Sequence, residues 1–203
     1  MKFTKRKIYV LTGILCLSPI LLGLALWEHL PETMAIHFDI YGEADNFASK
    51  AFVVFGLPML MTALQFFCLV AGEWNMKKQG EQKKFEKVMQ WVIPIITVIL
   101  QIVTLGYGLG WQLDIRRIVV FLVGILFLVA GNYMPKLDYV KNKKMSKDQA
   151  RKVNRFMGYV TVILGVMFLV SLFFSPVVSA ACLIFMAPYM IVCAIYGMRI
   201  ARK

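Results

Sequence analysis

Six long apolar runs, separated by charged stretches, constrain this chain more than any other feature. They extend from Ile8 to Trp27, Ala51 to Gly72, Val88 to Gly110, Ile118 to Met134, Phe156 to Phe174 and Val177 to Gly197. A helix rises about 1.5 Å per residue, so about 20 apolar residues cross a hydrocarbon core about 30 Å thick. Lipid offers no water to the backbone N–H and C=O groups, and a helix satisfies its own. Spanning strands would be half as long and would alternate in polarity. The expected fold class is therefore an all-α integral membrane bundle of six transmembrane helices. Composition agrees, with 60% of residues hydrophobic and 17% charged, against about half and a quarter in soluble domains. A water-soluble fold of 203 residues could not hide that much apolar surface.

The basic residues give the expected orientation. All but three of the 23 Lys and Arg residues fall in the N-terminal tail, the loops after the second and fourth runs, and the C-terminal tail. Only Lys50, Arg116 and Arg117 fall on the other side. Cytoplasmic loops carry the positive excess, so both termini are expected in the cytoplasm. The same alternation explains the net charge of +12 without nucleic acid as a direct partner. The first run follows Lys5-Arg6-Lys7 and shows no small-x-small pattern before Glu28, so it reads as a retained helix, not a cleaved signal. The chain reads as one membrane domain, 1–203. Within it, residues 8–72 form an N-terminal helical hairpin with an acidic outer loop at 28–50. Residues 88–197 supply four further helices with a basic cytoplasmic loop at 135–155.

Little in the sequence points to catalysis. No catalytic motif, cofactor loop or metal-ligand spacing is found, so no catalytic residue, metal or cofactor is assigned. Cys16, Cys68, Cys182 and Cys193 lie in apolar runs without a CxxC pair and read as small buried hydrophobes. His29 and His37 share the acidic loop with Glu32 and Asp39, but their spacing matches no zinc pattern. No ionisable residue falls mid-span, where transporters usually place one. Gln65 and Gln101 are the costliest polar groups within the spans, and interhelical hydrogen bonding is the simplest account of them. Pro19, Pro58, Pro94 and Pro188 also fall inside the spans and are expected to kink them.

Two groups of residues carry a family likeness. The first is Leu30-Pro31, then Ile36-His37, Gly42-Glu43-Ala44-Asp45 and Ser49-Lys50 ahead of Leu57-Pro58. The second is Gly131-Asn132-Tyr133-Met134-Pro135-Lys136, with Asn154-Arg155-Phe156-Met157-Gly158 at the entry to the fifth helix. Simple chemistry accounts for much of this. Pro31 stops the first helix, Gly42 and Asp45 suit a turn, and Ser49 suits a helix N-cap. Asn132 could satisfy loose carbonyls at a helix end that Pro135 closes. Ser146-x-x-Gln149 reads as a capping box that opens the fifth helix.

With the six-helix plan, these residues resemble the SdpI immunity-protein family, including its N-terminal domain of unknown function. The lysine-rich run Leu137 to Lys147 departs from the family pattern. The resemblance implies a multi-pass protein of the bacterial cytoplasmic membrane that is not an enzyme. It would protect against a secreted peptide toxin and could signal through a cytoplasmic regulator. Glu32, His37, Asp39, Glu43 and Asp45 are the expected toxin-facing residues. The expected partners are the lipid bilayer, that toxin outside, and a regulator or anionic lipid at the basic loop. The alternatives are a small permease or exporter component using Gln65 and Gln101, or a membrane anchor recruiting a regulator through Lys136 to Arg155.

Overall fold

The structure, a computed structural model, describes residues 5–79, 83–136 and 146–201. The chain divides into two compact units, Met1–Glu73 with Val88–Ile115, and Trp74–Lys87 with Arg116–Lys203. Among the described residues, five helical stretches are long and apolar enough to cross a membrane: Lys5–Ala25, Phe52–Trp74, Lys87–Gly108, Ile115–Lys136 and Lys147–Ser171. Large apolar side chains such as Leu21, Phe67, Ile163 and Ile184 are exposed on the helices, as expected where lipid is the solvent.

In the first unit, helices α1 (Lys5–Leu17) and α2 (Pro19–Ala25) form one interrupted rod. A 3-10 turn, Trp27–His29, ends it. Strands β1 (Thr33–Phe38) and β2 (Ala44–Ser49) follow as an antiparallel hairpin. Thr33 pairs with Ser49 and Ala35 with Phe47, and the register shifts on either side of His37. Next come a π-helical segment, Phe52–Gly56, and α3 (Leu57–Gln79). After α4 (Lys83–Met89), α5 (Val92–Gly108) lies in the first unit and packs against α1, α2 and β1. The acidic stretch is thus a small sheet seated on helix ends, and the bundle is not purely α. Met34, Leu30, Val53, Val54 and Leu105 make the buried cluster beneath it.

The interruptions have a common cause. Proline has no N–H, so the carbonyl one helical turn before it loses its donor. Pro19 frees the Leu15 carbonyl, and the Ser18 hydroxyl donates to it at 2.9 Å. Pro94 frees the Gln90 carbonyl, and Gln65 Nε2 donates to it at 2.9 Å. Pro58 follows the π-helical segment, where Leu57 N–H bonds to Phe52 O, five residues back. That register assigns the missing Pro58 donor to Val53 O, and Gln101 Nε2 supplies it at 2.9 Å. The two glutamines thus act reciprocally, each seven residues after one proline and capping the gap left by the other.

In the second unit, α6 (Ile115–Tyr133) ends in a 3-10 turn at Met134–Lys136. Helix α7 (Lys147–Ser171) opens with the expected capping box, in which Ser146 Oγ accepts from Gln149 N–H. The Gln149 side chain accepts from Ser146 N–H in return. The sixth apolar segment is divided into α8 (Pro176–Ile184) and α9 (Met186–Ala201) at Phe185, close to the point where Pro188 removes a donor. It is therefore not among the helical stretches long enough by themselves to cross a membrane. Val120, Phe168 and Cys182 form the buried centre of this unit. Cys16, Cys182 and Cys193 are buried as expected, whereas Cys68 is exposed.

Candidate functional site

The residues of the first motif converge on the β-hairpin. Asp39 shapes its turn: one carboxylate oxygen accepts from Tyr41 N–H at 2.8 Å and from Glu43 N–H at 2.9 Å. Gly42 adopts φ 88°, a left-handed conformation that costs glycine little. The turn therefore uses Gly42 as expected but Asp39 in place of Asp45. Asp45 instead meets His37 across the strands, with Oδ1 2.5 Å from Nδ1. Ser49 takes its expected place as helix cap, accepting from Phe52 N–H at 3.3 Å.

Lys50 anchors the hairpin. Although lysine is almost never buried without partners, this residue is only 8% exposed. Its ammonium group lies 3.3 Å from Trp27 O, 3.4 Å from Leu30 O and 3.0 Å from Glu32 Oε1. It also sits 4.7 Å from the centre of the Trp27 ring. Its own N–H donates to Glu32 O at 2.8 Å. Three ammonium protons thus meet three oxygens, two of them backbone carbonyls at the end of the first rod, of which Trp27 O also accepts from Leu30 N–H at 3.4 Å. Met34 fills space beside Gly108, where a built Cβ would lie 2.6 Å from Met34 Cε. Phe38 meets Tyr107 edge-on, with ring centres 5.0 Å apart.

Held in this way, the hairpin exposes acidic and apolar side chains together. Glu32, Asp39, Glu43 and Asp45 are exposed, as are Ile36, Ile40, Tyr41 and Phe47. The apolar members were not among the residues expected from sequence. The β-branched and aromatic residues Thr33, Ile36 and Phe38 ahead of a Gly-containing turn were the available signal, and two register shifts break the alternation that would have strengthened it.

The second motif converges elsewhere, where α6 and α7 touch backbone to backbone. A Cβ on Gly131 would lie 2.8 Å from Gly158 O, and one on Gly158 would lie 2.6 Å from Pro135 Cδ. One heptad along, Gly124 and Gly165 repeat the close approach. Lys136 Nζ lies 4.6 Å from the centre of the Tyr133 ring. Asn132 differs from expectation, because it is exposed and has no hydrogen bond to a described residue. Arg155 is exposed and Asn154 half-buried. Gln65 and Gln101 lie in neither group but within the helices of the first unit. Residues 137–145 of the basic loop, with Lys141, Lys143 and Lys144, lie outside the described residues.

Comparison with known proteins separates the two motifs in the same way. Residues 14–62 match the family model described as Domain of unknown function (DUF1648), and this match takes in the whole hairpin with Lys50. No solved structure matches the chain. Over 171 residues the chain is 29% identical to Immunity protein SdpI of Bacillus subtilis (strain 168), covering 80% of this chain and 79% of that one. With a matched N-terminal domain and several helices apolar enough to cross a membrane, the chain is similar across most of its length to Immunity protein SdpI.

Proposed function

We propose that the protein is a membrane immunity protein whose hairpin meets a secreted peptide toxin outside the cell. The similarity to Immunity protein SdpI supports the immunity role. The observation that carries the site is the hairpin itself: a sheet locked by Lys50 that presents four carboxylates among Ile36, Ile40, Tyr41 and Phe47. A cationic, amphipathic peptide suits such a surface. Opposite charge speeds the encounter, and the apolar side chains bury area once contact is made. In this reading the chain crosses the membrane six times, with α8 and α9 together as the last crossing, and both termini are cytoplasmic. It acts by binding, without catalysis. The basic loop faces anionic lipid or a cytoplasmic regulator.

The test is survival of a sensitive bacterium expressing the protein under challenge with a panel of secreted peptide toxins. Glu32→Gln, Asp39→Asn, Glu43→Gln and Asp45→Asn remove charge while keeping an acceptor oxygen, so the turn and the Lys50 contact survive. Protection lost in the combined variant, at unchanged membrane abundance, is expected. Full protection in that variant would exclude the hairpin carboxylates as the toxin-facing site. A permease reading draws less support, because the amide groups of Gln65 and Gln101 are committed to proline-freed carbonyls.

A further inference from the structure

The second unit buries a polar chain that runs in one direction. Ser171 and Ser179 are 1% and 4% exposed. The Ser171 hydroxyl donates to Phe168 O at 2.7 Å. A hydroxyl carries one proton, so across the 3.0 Å between the serine oxygens Ser179 donates and Ser171 accepts. Ser179 Oγ in turn accepts from Arg116 Nη1 at 3.2 Å. A half-buried guanidinium thus heads the chain. The two serines hold it in place, and neither brings negative charge.

Arg116 has no counter-ion among the described residues, and Ser179 Oγ is the one acceptor it meets there. The sequence gives the reason. Helices α6, α7, α8 and α9 contain a single carboxylate, Asp148, and it lies at the end of α7 opposite Ser171. Arginine keeps its charge and offers five N–H donors, so most of them remain for a guest. Helix ends fix the depth. Arg116 is the second residue of α6, Ser171 the last of α7 and Ser179 the fourth of α8. At about 1.5 Å per residue, all three lie within about one turn of a helix end. For the spans containing α6 and α7, that is the headgroup level rather than the hydrocarbon centre.

We propose that Arg116 binds the phosphate of an anionic phospholipid of the phosphatidylglycerol class. The guanidinium fork matches two phosphate oxygens, and the pairing is charge-assisted. A zwitterionic lipid carries its own ammonium group to compete for that phosphate, whereas a glycerol headgroup leaves the charge to the protein. The Ser179–Ser171 chain aims the guanidinium, so Ser179 is a positioning residue. In the six-crossing reading this end of the unit faces the outer leaflet, opposite the basic loop at 135–155. The site does not depend on the hairpin or on the immunity role.

The test is lipid retention by the purified full chain in detergent, read by native mass spectrometry. Lys141, Lys143 and Lys144 are first changed to Gln, so that the basic loop competes less for the same lipid. Phosphatidylglycerol, phosphatidylcholine and inorganic phosphate are then titrated in turn. The expected result is one phosphatidylglycerol retained per chain at concentrations where phosphatidylcholine is not. Arg116→Gln should weaken that first binding at least about tenfold, the scale of one lost charge-assisted hydrogen bond. Ser179→Ala should weaken it by about threefold, and should have no further effect in the Arg116→Gln background. Equal retention of the two lipids would overturn the proposal, as would unchanged first binding in a folded Arg116→Gln variant. Release of the lipid by inorganic phosphate at matching concentration would make the occupant a free anion and overturn the lipid assignment. Should Arg116→Gln not fold, Ser179→Ala decides, because it keeps the charge and unchanged affinity there would overturn the site.

Discussion

At the scale of single residues, four prolines and one lysine account for most of the unusual geometry. A proline in a span leaves one carbonyl without a donor, and lipid makes that loss costly. Ser18, Gln65 and Gln101 fill three such gaps. Gln101→Leu should therefore destabilise the protein by about 1–3 kcal/mol, the cost of stranding a buried polar group. Pro58→Ala returns an N–H to Val53 O, so Gln101→Leu should cost markedly less in that background. The pair should couple by about 0.5–3 kcal/mol in a double-mutant cycle of unfolding in micelles. Independent effects would show that Gln101 does not act through the proline. Lys50→Met should cost about 1–2 kcal/mol through the lost hydrogen bonds to Trp27 O and Leu30 O. Glu32→Gln should cost less than about 1 kcal/mol, because Glu32 is exposed and its ion pair is screened. Denaturant midpoints of the two variants compare them directly.

Among the elements, the hairpin and the α6–α7 pair show two ways of fixing a short contact. The hairpin depends on its turn and its anchor. Asp39→Ala removes two accepted hydrogen bonds and should loosen the turn, which limited proteolysis between β1 and β2 would report as faster cleavage. His37→Ala removes an exposed pair and should change stability by less than about 1 kcal/mol. It thus separates binding from folding in a survival assay. The α6–α7 contact depends on absent side chains. Gly158→Leu would push a side chain into Pro135 and the Gly131 carbonyl. Overpacking of this kind costs about 1–3 kcal/mol or more, and a lower unfolding midpoint with reduced membrane abundance should follow. An unchanged midpoint would show that the helices can separate at no cost.

For the whole molecule, topology is the property most open to direct test. Reporter fusions after residue 79, within 137–145 and after residue 201 should all read as cytoplasmic, and fusions at Tyr41 or Phe174 as external. Any reversal would remove the hairpin from the outer side of the membrane, where the proposed toxin contact requires it. The expected apolar runs and the first five spans correspond closely, because length and hydropathy alone decide whether a helix dissolves in lipid. The Ser146 capping box and the Ser49 cap were also legible, since each rests on residues three apart in sequence. The acidic stretch gave no comparable periodicity, and its folding as a sheet depended on Met34 finding the cluster of Leu30, Val53, Val54 and Leu105. Likewise, sequence presented Pro58, Pro94, Gln65 and Gln101 as four separate polar or helix-breaking residues. Their reciprocity spans α3 and α5, and the Val53–Gln101 bond joins residues far apart in the chain. Local chemistry thus determined which segments leave water and where each helix starts or breaks. Only tertiary packing decided which side chain supplies each missing donor, because in lipid that donor must come from the protein itself.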